Sequence, residues 1–248
     1  MLAFQSQLIF PTHAVAPPGP LPRGAKRLTI AGGDGAELHG VHIASAKAGG
    51  ERRALIIGFA GNAWNSEDAA SSLHHIYPAH DIVVFHYRGY RPSTGSPSSD
   101  ALIADAPLVH DFAVDLVKPD ITVAVGFSIG SGVAAALSQA RPLDGLILVT
   151  PFDSLKAVAS GLYPFVPVGM LFRHEMNAAA ALKGSRVPTA IIAAEHDSLV
   201  LPERTAALRR ATGRLVYDRV IAGAGHNDIY QRPELAEAMR EALGAVTG

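Results

Sequence analysis

Gly126-Phe127-Ser128-Ile129-Gly130 is the stretch of this chain whose residue types and spacing best suit chemistry. Glycines two residues either side of a serine allow a turn so sharp that the hydroxyl stands clear of the backbone; side chains there would collide. A serine hydroxyl is a weak nucleophile at neutral pH and needs an adjacent base to take its proton. Histidine supplies that base most often, oriented by a carboxylate that also stabilises the imidazolium. Two later loops carry these groups, Glu195-His196-Asp197-Ser198-Leu199-Val200 and Gly223-Ala224-Gly225-His226-Asn227-Asp228. His226 is the expected base, because it follows the last strand in a glycine-rich loop and precedes the final helix. His196 ranks behind it, since it adjoins Asp197 and neighbouring side chains point in different directions. Asp197 and Asp153 both follow strands and compete for the role of acid.

Attack by Ser128 would place negative charge on a carbonyl oxygen, and N–H donors aimed at that charge can supply a large part of the catalysis. One expected donor is the backbone N–H of Ile129, directly after the nucleophile at the start of its helix. The second is expected from Gly58-Phe59-Ala60-Gly61-Asn62, with Phe59 the donor. The alternative reading of that loop is a tight glycine turn and nothing more.

The pentapeptide is short, so the elements around it carry the inference. It closes the β-branched run Ile121–Val125 and opens the small, helix-forming segment Gly132–Leu137. Further predicted strands are 54–59, 82–86, 145–150, 189–194 and 215–221; predicted helices are 66–77, 99–117, 129–139, 203–211 and 233–246. The strands are continuous apolar runs without strict alternation, which marks strands covered on both faces. A repeated βαβ order then implies an α/β fold with a mainly parallel, doubly wound sheet and helices on both faces. Ahead of it, residues 26–30 and 37–43 read as two strands joined by the turn chemistry of Gly32-Gly33-Asp34-Gly35. Residues 1–25, with prolines at 11, 17, 18, 20 and 22, read as an extended lead-in, and 26–248 as one domain. An insertion of about 151–187 precedes the strand leading to Asp197. Its apolar stretch 162–172 would either line a pocket or lid, or serve as a packed connection.

Bulk composition narrows the classes. With 248 residues, 48% hydrophobic and 17% charged, the chain has ample material for a core. A net charge of −1 provides no field for nucleic acid or an anionic membrane. There is no cysteine, which excludes disulfides, thiol nucleophiles and cysteine-bound metals and suits the cytoplasm, the expected location. Met1–Phe10 lacks the basic and apolar regions of a signal peptide, and no run approaches the length of a membrane span. His74, His75 and His80 have no accompanying carboxylate cluster and read as surface histidines.

The markers together resemble the α/β-hydrolases, and among them the serine-aminopeptidase-like and Bem46-like hydrolases. They are Leu8-Ile9-Phe10-Pro11, Gly61-Asn62, Tyr87-Arg88-Gly89-Tyr90 with Ser93 and Gly95, Gly126–Gly130, His196-Asp197 with Leu199, Val200 and Pro202, and Gly225–Asp228. The resemblance implies the α/β-hydrolase fold, with Ser128 as nucleophile, Asp197 as acid, His226 as base, and Phe59 and Ile129 as oxyanion donors. Three positions depart from the relatives' pattern. Ile57-Gly58 stands where His-Gly is common, His86 where the strand commonly ends in Asp, and Arg91-Pro92 where a glycine-containing pair is common. The resemblance implies a serine hydrolase acting on a small acyl substrate, a carboxylic ester above all, with no metal or organic cofactor. Peptidase or amidase activity at the same residues is the alternative, with Glu175 or Asp153 as anchors for a substrate amine; thioesters also remain open. A reading of another class is a hydrolase-fold binding protein without catalysis.

Overall fold

The computed structural model describes residues 9–46, 53–162 and 172–248. Residues 163–171, most of the apolar stretch expected in the insertion, lie outside the described residues, as do 1–8 and 47–52. The chain forms two compact units, 1–124 and 125–248, with β5 running from the first into the second.

In the first unit the strands β1 (Lys26–Ala31), β2 (Glu37–Ile43), β3 (Ala54–Phe59) and β4 (Asp81–Phe85) lie in the order β1-β2-β4-β3. β1 and β2 pair antiparallel through a turn in which Asp34 has φ 55° and Gly35 φ 72°. β3 and β4 are parallel, with Leu55 opposite Asp81 and Gly58 opposite Val84. Every residue of β3 and β4 is buried. Successive strand residues point to opposite faces, so complete burial means both faces are covered. The helices α1 (Ser66–Ile76) and α2 (Ser99–Val117) pack against these strands. α1 starts where the Asn65 side chain accepts the N–H of Glu67, and α2 where Ser98 accepts that of Ala101.

The second unit contains the rest of β5 (Ile121–Phe127), α3 (Ile129–Ala140), β6 (Gly145–Val149), α4 (Leu155–Leu162), α5 (Ala178–Leu182), β7 (Thr189–Ala194), α6 (Pro202–Ala211), β8 (Leu215–Ile221) and α7 (Pro233–Thr247). Its strand order is β5-β6-β7-β8, with β6, β7 and β8 mutually parallel. β6 and β7 are buried throughout, whereas β8 alternates as an edge strand does. α7 packs on β6, β7 and β8.

β4 begins one residue earlier than its apolar run predicts. Asp81 is a strand residue that is 0% exposed, its charge met by His42 Nε2 at 2.7 Å and Arg53 Nε at 3.1 Å. A buried carboxylate is tolerable only with such partners, and they stand 39 and 28 residues away.

His86, directly after β4, is 4% exposed, and its Nε2 has no hydrogen-bond partner. Burial pushes its imidazole down to about 4, with His39 adding to the shift and Glu67 opposing it. The folded protein therefore keeps His86 neutral where an unfolded chain would protonate it near 6.5. Between those values the unfolded state binds the extra proton, so stability falls as pH drops from about 6.5 to 4, by up to about 3 kcal/mol. Urea unfolding across this range should show that loss, and His86→Leu should remove it; equal pH slopes for the two proteins would refute it.

Candidate active site

The end of β5 dictates the geometry around Ser128. The strand delivers Phe127 into the interior, 2% exposed, and the chain must then reverse into α3. Ser128 makes that reversal at φ 49° and ψ −115°. A non-glycine residue held there costs about 1–3 kcal/mol and persists only when its surroundings enforce it. Three contacts do so. Ser128 N–H donates to Val149 O on β6 at 2.9 Å, and Ser128 O accepts both Ser131 N–H at 2.9 Å and Ser131 Oγ at 2.5 Å. The flanking glycines give the room. A Cβ on Gly126 would meet the Gly130 carbonyl and lie 2.6 Å from Ser131 Cα, backbone atoms that cannot swing aside.

His226 sits in the loop between β8 and α7. Its Nε2 lies 3.0 Å from Ser128 Oγ and its Nδ1 2.7 Å from Asp197 Oδ2. His226 and Asp197 are each 6% exposed. Asp197 Oδ1 accepts the N–H groups of Leu199 at 3.0 Å and Val200 at 2.7 Å, which leaves Oδ2 to the imidazole. A carboxylate oxygen only accepts, so Nδ1 carries the proton and Nε2 is free to accept from the serine hydroxyl.

The rival residues sit elsewhere. His196 has a side chain 71% exposed, 3.6 Å from Glu195. Asp153 Oδ2 accepts from Arg204 Nη1 at 3.1 Å, and Glu175 is exposed. Ile129 is the first residue of α3, so its N–H belongs to the helix's first turn, which has no intrahelical carbonyl partner. Phe59 ends β3 in the first unit and is 4% exposed. The loop after it is held by two tyrosines: Tyr87 hydroxyl donates to Ala60 O at 2.8 Å, and Tyr90 hydroxyl to Asn62 Oδ1 at 2.5 Å. Among the described residues no group of three or more His, Asp or Glu is placed to hold a metal ion.

Two residues beside His226 carried no signal in the sequence. Tyr230, four residues on, sets its ring edge-on to His226 at 6.4 Å and to Phe127 at 6.0 Å. Its hydroxyl lies 2.7 Å from Thr150 Oγ1, and Thr150, just past β6, is fully buried at φ 48°. Burial, reinforced by the charge of Asp197, pushes the Tyr230 phenol well up and keeps it protonated. Tyr230 and Thr150 stand 80 residues apart, so no local pattern could have linked them.

No family model matches the chain. An uncharacterized Mycobacterium tuberculosis protein, Rv2307c, is 31% identical over 210 residues, covering 82% of this chain and 72% of its own length. An α/β-hydrolase structure from Vibrio vulnificus superposes with a TM-score of 0.76 at 19% identity, covering 98% of this chain and 92% of that one. This chain is an α/β-hydrolase, and it belongs to one family with the mycobacterial protein. Eight strands in a mainly parallel sheet with interleaved helices form the shared architecture. The Pyrococcus furiosus esterase Pf2001 has the same hydrolase fold, with a TM-score of 0.70, 19% identity, and coverage of 93% and 96%. The lysophosphatidylserine lipase ABHD12 of Xenopus tropicalis is 27% identical over 197 residues, 66% of this hydrolase and 50% of that protein. Among the described residues no helix is long and apolar enough to cross a membrane.

The Gly126 contacts generate a direct test. Gly126→Ala should lower stability by about 1–3 kcal/mol or prevent folding, because the clash is with backbone. Gly223→Ala, at φ 65° with nothing within 4 Å of the new Cβ, should cost about 1 kcal/mol. Thermal unfolding of both variants checks the ranking; Gly223→Ala proving the more damaging would overturn it.

Proposed function

We propose that this α/β-hydrolase is a serine hydrolase that cleaves a carboxylic ester through an acyl-enzyme. The observation that carries this reading is the unbroken chain from Ser128 Oγ to His226 Nε2 and from His226 Nδ1 to Asp197 Oδ2, at 3.0 and 2.7 Å. Ser128 Oγ attacks the ester carbonyl while its proton passes to His226 Nε2. The new imidazolium is stabilised by Asp197, whose other oxygen is already fixed by two backbone donors. The tetrahedral oxyanion takes its hydrogen bonds from the N–H of Ile129 and, following the order of elements along the chain, from that of Phe59. His226 then protonates the leaving alcohol as the C–O bond breaks. In the second half a water gives its proton to His226 and attacks the acyl carbon; the bond from that carbon to Ser128 Oγ then breaks, the carboxylic acid leaves, and His226 returns the proton to Ser128 Oγ. No step requires a metal or organic cofactor.

An ester is favoured over a peptide with a free N-terminus. Such a substrate needs a carboxylate for its ammonium group; of the two expected anchors, Asp153 is engaged by Arg204 through Oδ2 while its Oδ1 has no hydrogen-bond partner, and Glu175 is exposed. The esterase and lipase names carried by Pf2001 and ABHD12 agree with acyl-ester chemistry.

A fluorophosphonate probe tests the nucleophile: it should label the native chain and not Ser128→Ala. Well-folded native protein that takes no label would instead be a hydrolase-fold binding protein. Asp197→Asn should lower kcat by about 10³–10⁴ by removing the acceptor that fixes the tautomer, and His226→Ala should abolish turnover with folding intact. A panel of p-nitrophenyl esters of rising acyl length beside aminoacyl amides tests the bond; faster turnover of the amides would overturn the ester assignment.

A further inference from the structure

Tyr230 occupies a place that the proposed chemistry leaves unexplained. Its ring stands edge-on to both His226 and Phe127, the residue preceding Ser128, at interplanar angles of 88° and 74°. It thus touches the base and the turn carrying the nucleophile at once. Its hydroxyl lies 2.7 Å from Thr150 Oγ1, which anchors the far end of the ring. The direction of that bond follows from Thr150 itself, whose only hydroxyl proton goes to Val149 O at 2.9 Å. Thr150 Oγ1 therefore accepts, and Tyr230 donates. Thr150 is anchored in turn, its N–H donating to Ile192 O on β7 at 2.8 Å. A β-branched residue at positive φ is a rare backbone state that clusters at functional sites.

The loop bearing His226 is braced on its other side by exposed contacts. Asp228 accepts Gly225 N–H at 2.7 Å and pairs with Arg232, which also donates to Gly223 O at 2.8 Å. These fix the loop backbone. The imidazole itself is met by Tyr230, whose ring stands edge-on to it at 6.4 Å.

We propose that Tyr230, through Thr150, is the positioning residue that holds the His226 ring in line between Asp197 and Ser128. This rests on the hydrolase reading above. β6 thereby fixes nucleophile and base together: Val149 O receives the N–H of Ser128 while Thr150, the next residue, receives the hydroxyl of Tyr230. A proton relay depends on such registration, because transfer efficiency falls steeply with misalignment.

Steady-state kinetics with the preferred p-nitrophenyl ester, and the rate of fluorophosphonate labelling, test the proposal on the full chain. Tyr230→Phe keeps the ring and loses only the hydrogen bond; kcat and labelling rate should both fall about tenfold with KM within about twofold. Thr150→Val should do the same by orphaning the tyrosine proton, and Thr150→Ser, which keeps the acceptor, should restore most of the loss. The double variant Thr150→Val/Tyr230→Phe should be no slower than Thr150→Val alone, because both ends of the bond are then gone. A purely structural bond would lower the unfolding temperature and leave kcat and labelling at native values, which overturns the proposal. If Tyr230→Phe does not fold, the ratio between Thr150→Ser and Thr150→Val decides: a ratio near one overturns it, about ten supports it. Absence of any label on native Ser128 is a distinguishable failure, because it removes the hydrolase reading itself.

Discussion

Ser128 is held at φ 49°, ψ −115° by hydrogen bonds to β6 and to the first turn of α3. That strained reversal from strand to helix is the constraint on which the rest of the second unit depends. It requires a strand that ends abruptly in the interior, which β5 supplies by burying Phe127. It requires two stretches of backbone nearly in contact, possible only with glycine at 126. It also requires a neighbouring strand positioned to accept the serine N–H, and β6 does so through Val149. The strain of about 1–3 kcal/mol is offset by the packing of fully buried strands around it.

The same strand end meets the residue packed on His226. β6 stops at Val149, and the next residue adopts a second positive-φ conformation. Two consecutive residues thus bond to the two sides of the site, Val149 through its carbonyl to the Ser128 N–H and Thr150 through Oγ1 to the Tyr230 hydroxyl. Asp197 follows β7, one strand further on. Asp197 can point Oδ2 at His226 because the loop after β7 turns two backbone N–H groups onto Oδ1. Ser128, Asp197 and His226 follow the C-terminal ends of β5, β7 and β8, and the parallel pairing of β7 with β8 brings the last two ends together. The first unit follows the same logic, with its tyrosines holding the loop after β3.

Much of this was legible in the sequence. Strands 54–59, 121–127, 189–194 and 215–221 stand where their apolar runs place them, and α2 spans the predicted 99–117. Such elements are read easily because burial on both faces demands continuous apolar residues, and glycine, proline and capping residues mark their ends. The strand start at Asp81 was not legible, since a charged residue reads as a turn until its partners in β2 and ahead of β3 are seen. Asp153 also follows a strand, but the resemblance favours Asp197, whose loop is where the α/β-hydrolases supply the acid. Arg204, on α6, engages Asp153.

Sequence alone specifies the class of elements, their order, and the placement of a serine, a carboxylate and a histidine on the loops after β5, β7 and β8. Those follow from local physics: side-chain burial, turn conformation and helix capping act within a few residues. Which carboxylate meets His226, which nitrogen of its ring faces the serine, and the tie from Tyr230 to Thr150 were decided only by the tertiary structure. Hydrogen bonds over about 3 Å depend on strand register and loop direction, and these arise from the packing of segments 29, 80 and 98 residues apart.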